Sequence, residues 1–234
     1  ISDISPLSSL TELTMLDLYG NNISDIGAVS SLTKLTELHL DKNSISEISA
    51  LSGLTGLTEL GLGDNNIDDV SALEDLTNLK ELDLGVNSLD DSSNLNKLSN
   101  LTELIELDLD SNNIIDISPL SDLEKLKKLD INYNDISDIS PLVSLTNLEE
   151  LYLDNNEIKD IRALSGLNNL TALDLKEGNS PFDGTANNAK HLDNLDFTVD
   201  STNYEVWIPQ GEVTASTGMT EAELDGATVD LDVY

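Results

Sequence analysis

Cysteine is absent from the 234-residue chain, which excludes disulfides and thiolate metal sites. Aromatic residues make up only 3% of a chain that is 38% hydrophobic, so the apolar content is mostly Leu and Ile. That suits a core of many small, similar layers, because a single globular core draws on larger rings. Positive charge is also scarce: 11 Lys and Arg stand against 45 Asp and Glu, for a net charge of −34. Such a field repels phosphate backbones and anionic lipid, which argues against nucleic-acid and membrane-surface binding, and it attracts cations and basic proteins. The alternative reading of the acidity is that it merely keeps a surface protein soluble. No run of about 18 apolar residues exists, so no helix here spans a bilayer. The chain opens at Ile1 in the middle of a repeat, without Met or a basic leader. Any signal sequence, cap or anchor is therefore expected outside it.

Catalytic signatures are missing too. The two histidines are His39 and His191, and His39, flanked by Glu37 and Asp41, reads as a solvated, charge-balanced side chain rather than a general base. There is no phosphate-cradling glycine loop. Paired carboxylates are plentiful, but an open surface has no pocket to drive their pKa values apart. No enzyme is expected. The stretch from Asp108 to Asn112 mimics the start of an EF-hand loop, yet Asn113 stands where glycine is required and Pro119 where the bidentate Glu belongs. No cofactor or metal site is assigned; only loosely held calcium is compatible with so many carboxylates.

What the chain does have is a period. Leu-x-Leu-x-x-Asn-x-Ile recurs with its asparagine at Asn21, Asn43, Asn65, Asn87, Asn112, Asn134 and Asn156, in steps of 22, 22, 22, 25, 22 and 22 residues. Between these segments apolar residues fall at every third position, as in Ile67, Val70, Leu73, Leu76, Leu79 and Leu82. Each Leu-x-Leu reads as a short strand with both leucines inward and the intervening residue outward. The threefold spacing suits 3₁₀ or irregular turns on the return side. Ser-Pro pairs at Ser5-Pro6, Ser118-Pro119 and Ser140-Pro141 read as turn starters, with serine as cap and proline at the first helical position. The predicted fold is an α/β repeat solenoid with a parallel concave sheet and a 3₁₀ or irregular convex side. The asparagine column is assigned to satisfying backbone groups at the turn. The 25-residue step, where Ser92 replaces an apolar residue, predicts one added turn on the return side.

The residues carry a resemblance. Ile1–Leu7, echoed at Ile114–Leu120 and Ile136–Leu142, together with Leu145–Asn156, is similar to the leucine-rich repeat of internalins. The resemblance covers about three quarters of the chain. It implies a secreted or wall-attached bacterial protein that binds a protein partner on its concave face. At Lys176 the pattern fails, with turn chemistry at Asn179-Ser180-Pro181 and Asp183-Gly184. Five of the eight aromatics lie beyond, and alternation at Leu195–Asp200, Tyr204–Ile208 and Ala227–Val233 reads as strands. Residues 1–176 are thus taken as the repeat domain and 177–234 as a small β-rich cap over the last repeat, with Trp207 as core filler. The resemblance places an immunoglobulin-like domain there, of which 58 residues would be a truncated form.

Function should reside in the outward sheet positions. Of the 24 positions before, between and after the leucine pairs, 13 are acidic. Glu81, Asp83, Glu106, Asp108, Asp110 and Asp130 form the densest cluster, and like charges in register about 4.8 Å apart are unfavourable unless paired. This cluster is the candidate seat for a basic protein surface or divalent cations; the alternative is that Asp between the leucines is simply habitual in such repeats. Near the far end Lys128, Tyr133, Tyr152 and Asp154 should project beside it as interface anchors, while Gly61, Gly63 and Gly85 should leave a shallow patch open to a partner. Three functions remain: a monomeric protein-binding module of a bacterial cell-surface protein, a self-assembling extracellular subunit, or an acidic calcium-buffering surface domain. The second is motivated by an apolar end layer expected at Ile1, Ile4, Leu7 and Leu10.

Overall fold

The computed structural model describes residues 1–90, 95–175 and 206–207. Eight three-residue strands, one per repeat, line up in sequence order in a single parallel sheet: β1 Met15–Asp17, β2 Glu37–His39, β3 Glu59–Gly61, β4 Glu81–Asp83, β5 Glu106–Asp108, β6 Lys128–Asp130, β7 Glu150–Tyr152 and β8 Ala172–Asp174. The pair Val206–Trp207, β9, adds to β8 in the same sense. The other residues assigned to the cap lie outside the described residues, as do the side chain of Trp207 and Ser92. Register is strict. Leu16, Leu38, Leu60, Leu82, Leu107, Leu129, Leu151 and Leu173 stand directly opposite one another, because a slip of one residue would turn every leucine out of the core.

The inward side chains make one continuous core of Leu, Ile and Val, nearly all fully buried. Each such side chain contributes about 1.5–3 kcal/mol of transfer free energy, so the thin layers need no ring at their centre. The return side is a series of short 3₁₀ turns such as Gly27–Ser31, Ser71–Leu73 and Ser140–Ser144. The longest described turn, Leu95–Asn100, lies in the 25-residue repeat, while β4 and β5 keep their pairing. The three extra residues fall between Leu89 and Leu95, so the added turn expected there lies mostly outside the described residues.

The serines are not the caps that the Ser-Pro pairs suggested. The cap position is an isoleucine, Ile4, Ile117 or Ile139, with no side-chain bond. The work is done by an aspartate one residue earlier: the backbone N–H groups of Ser5, Ser118 and Ser140 donate to Asp3, Asp116 and Asp138 at 2.9, 2.8 and 2.8 Å. The isoleucine must face the core, so the polar cap shifts back to the next outward side chain.

The asparagine column has the structural role assigned to it. Asn65 donates to the carbonyls of Leu62, Gly63 and Leu40 at 3.0–3.1 Å and accepts from the N–H of Ile45 at 3.0 Å. Asn112, Asn134 and Asn156 repeat this set one repeat at a time. Each buried amide thus ties its own corner to the repeat before it. At the first repeat, Ile1 and Leu10 are exposed, but Leu7 is half-buried and Ile4 is only 4% exposed. The expected apolar end layer is therefore smaller than predicted, because the turn Ser5–Ser9 closes on Ile4 through the Leu7 N–H to Ile4 C=O bond at 2.9 Å.

Candidate partner-binding face

Strand alternation sets the outward residues of β1 to β8 in rows across the sheet. The first row runs Met15, Glu37, Glu59, Glu81, Glu106, Lys128, Glu150, Ala172, and the second Asp17, His39, Gly61, Asp83, Asp108, Asp130, Tyr152, Asp174. Glu81 faces Glu106, and Asp108 stands between Asp83 and Asp130. The predicted cluster is therefore brought together, with Lys128 beside Glu106 and Glu150 as its nearest cation in the row. Asp110 follows in the next position along the chain, and these carboxylates line an open trough of about 540 Å³ across β2 to β6.

Crowding shows in their proton affinity. Burial, reinforced by the charges of Asp130, Asp83 and Asp110, pushes Asp108 up to about 7 against the pull of the Asp110 N–H. Burial likewise raises Asp130 to about 6, with Asp110 adding and Lys128 opposing. Asp83 and Glu81 are also raised, burial again the main cause and neighbouring carboxylates the next of the raising influences. At neutral pH this row carries less than its formal charge, and a cation laid on it would drive the remaining protons off.

Part of the acidity is structural. Asp17, Asp83, Asp108 and Asp130 each accept the backbone N–H two residues on, at 2.9–3.0 Å. At Gly61 and Tyr152, where the strand residue is not Asp, the preceding repeat supplies the acceptor: Asp41 takes the Gly63 N–H at 2.9 Å, and Asn132 takes the Asp154 N–H. This habit of Asp between the leucines thus has a physical cause, since the chain leaves the sheet there and that N–H has lost its ladder partner.

The glycines do not leave a bare patch. A Cβ at Gly61 would lie 2.2 Å from an Asp41 carboxylate oxygen, one at Gly85 2.2 Å from Asp110, and one at Gly63 2.7 Å from Asp83. The space freed by each missing side chain is filled by a neighbouring carboxylate, so the glycines concentrate the charge. Tyr133 is likewise not on a strand: it sits at the corner after β6 with φ 50° and is 54% exposed. Tyr152 does project from β7 but is half-buried, its hydroxyl donating to Glu150 at 3.0 Å; burial first, then that bond, pushes it up to about 12. Asp154 is buried, with Oδ2 accepting from the Asn155 amide at 2.8 Å, which removes it from direct contact. His39 approaches Glu59 at 3.5 Å, across the strands rather than along its own. Among the described residues no three His, Asp or Glu side chains converge so as to hold a metal ion, and no helix is long and apolar enough to cross a membrane.

Sequence reasoning passed over Val86. It lines the trough, is 46% exposed and has φ 53°, a conformation that a β-branched side chain resists. The column before each asparagine reads Gly20, Lys42, Asp64, Val86, Ser111, Tyr133, Asn155, and Val86 stands out in it as the one β-branched residue.

One strand per turn, a parallel concave sheet and an asparagine corner define a leucine-rich-repeat solenoid. The family described as leucine-rich repeat region matches residues 5–215. Internalin C2 of Listeria monocytogenes is 32% identical with a TM-score of 0.74, over 87% of this chain and 84% of that one. An internalin of the same organism, inlF, is 34% identical with a TM-score of 0.52, over 76% and 65%. The plant peptide hormone receptor RGFR1 in complex with RGF2 is 26% identical with a TM-score of 0.65, over 75% and 30%. A comparison with curated proteins returns no match. The chain belongs to the leucine-rich-repeat proteins of internalin type.

Proposed function

We propose that the chain is the protein-binding module of a bacterial secreted or cell-surface protein and takes a basic partner on its concave face. The carrying observation is the register that sets Asp83, Asp108 and Asp130 side by side next to Glu81 and Glu106, with Lys128 as the neighbouring cation. The internalin relatives and a receptor solved with its ligand support a binding role. No enzymatic step is assigned, and calcium, if taken up, would be held weakly by the same carboxylates. The probe is a labelled peptide of alternating lysine and serine. Its affinity should fall at least about tenfold when Asp83, Asp108 and Asp130 become Asn together, since each exposed charge contact is worth several tenths of a kcal/mol and three act at once. Converting Asp116, Asp138 and Asp160 on the return side to Asn removes the same formal charge and, assayed at about pH 8.5 where Asp108 and Asp130 are ionised, should leave affinity nearly unchanged. Equal losses in the two triple variants would reduce the attraction to net charge and sink the assignment.

The alternative reading is a self-assembling extracellular subunit. Sedimentation velocity over a wide concentration range, with and without calcium, separates the readings. A monomer throughout fits the binding module, and concentration-driven growth would put assembly first.

A further inference from the structure

Beside the acidic trough runs the corner column, in which every described residue after the first is held at positive φ without being glycine. The backbone role there is generic: the N–H reaches the next repeat, as from Val86 to the Asp110 carbonyl and from Tyr133 to the Asp154 carbonyl, both at 2.8 Å. Asn or Gly would perform it with less strain. Yet Val86 and Tyr133, two repeats apart, both carry large apolar side chains that stay exposed, at 46% and 54%. Neither belongs to the hydrophobic core. The fold thus gains nothing visible from a valine in its least suitable conformation, and such outliers point to use.

Position indicates the use. Val86 lines the trough together with Asp83, Asp108 and Asp110, so an apolar contact lies next to the most crowded carboxylates. Parallel strands stand about 4.8 Å apart, which places Val86 and Tyr133 about 10 Å apart along the same edge. Ser111, small and half-buried, lies between them, its hydroxyl donating to Asp110 at 2.7 Å. A lipid surface is disfavoured as occupant because the face repels anionic headgroups. We propose that Val86 and Tyr133 form an apolar strip that sets partner specificity, its occupant a protein segment carrying apolar side chains next to lysine or arginine. The inference rests on the basic-partner reading above and adds to it which basic partners are chosen.

The test compares two peptides of equal charge: alternating lysine and serine, and the same peptide with two serines replaced by leucine. The unaltered chain should prefer the leucine peptide about tenfold, the worth of one buried aliphatic side chain. Val86→Gly combined with Tyr133→Ser should abolish that preference, bringing the ratio of the two affinities to about one. Glycine suits positive φ, so Val86→Gly should fold at least as well as the parent, checked by thermal melting. Equal binding of both peptides by the unaltered chain overturns the inference and leaves the basic-partner reading standing. Binding of neither overturns both, and a preference that survives the double substitution overturns the strip.

Discussion

Two polar ladders run along this array, and they handle burial in opposite ways. The asparagines are neutral and carry both donors and an acceptor, so Asn112, Asn134 and Asn156 can stack one above another with their bonding needs met by carbonyls and N–H groups. The carboxylates of Asp83, Asp108 and Asp130 can only accept when ionised, and stacking them then crowds like charge. One ladder lowers the energy with every added repeat. The other satisfies one N–H per repeat and accumulates a cost, which a partner's cations could relieve.

The largest expected effect lies in the neutral ladder. Asn112→Ala removes the acceptor of the Leu89 N–H and the donors to Leu84, Leu109 and Asp110. The loss should be about 3 kcal/mol, since several buried groups are left unsatisfied. Urea unfolding measures it, and faster amide exchange at Leu89 locates it. Binding of the lysine–serine peptide to the folded fraction should not change; a loss there would give the amides a part in recognition.

In the charged ladder the sign reverses. Asp108 has a folded-state pKa of about 7 against an ordinary 3.8, so between these values the folded chain holds more proton than the unfolded one. The stability this provides is complete below the lower value and is lost as pH rises through about 7. Asp108→Asn keeps an oxygen for the Asp110 N–H, now met at 2.9 Å, and cannot ionise. It should be the more stable chain at about pH 8, by about 2 kcal/mol once solvent screening of the open face is allowed for, and should show a flatter profile towards about pH 5. Parallel pH profiles of the two chains would remove the strain argument.

The difference between the ladders was only half legible in the sequence. Leucines every two and then three residues, with asparagines every 22 save for one step of 25, dictate strands, turns and the core, because each repeat must bury the same stripe. The facing of Asp83, Asp108 and Asp130 follows from that register. Where each carboxylate folds does not follow, because it depends on the neighbour one repeat away. The alignment shows Gly61 as an empty slot, and only the packed array puts Asp41 in it. Tyr133 reads as a strand residue if one counts outward positions past the second leucine, but the chain has already turned into a left-handed corner there. Val86 was visible in the same column and called for a backbone argument, not a charge count.

Gly61→Ala tests how far the carboxylates depend on one another. The new methyl would displace the Asp41 carboxylate, which is the acceptor for the Gly63 N–H. Side-chain adjustment limits the damage, so the loss should be about 1.5 kcal/mol, near the worth of one charge-assisted bond. Pairing it with Asp41→Ala should give less than the sum of the two single losses, because both remove the same bond. Full additivity in denaturant titration would mean that the methyl acts elsewhere.

The smallest effect is a gain. Val86→Gly gives up a half-exposed side chain and relieves a left-handed valine, worth about 1–2 kcal/mol, while the unfolded chain becomes freer by about 0.5–1 kcal/mol. The balance favours the variant by somewhat under about 1 kcal/mol, read as a small rise in melting temperature. A core or caps-and-turns role for the valine requires the opposite sign, since nothing then offsets the freer unfolded chain. A gain in stability accompanied by loss of preference for the leucine-bearing peptide would be the mark of a side chain kept for contact at the expense of the fold. That combination sets Val86 beside the crowded aspartates, as a second place where this face departs from the most stable repeat.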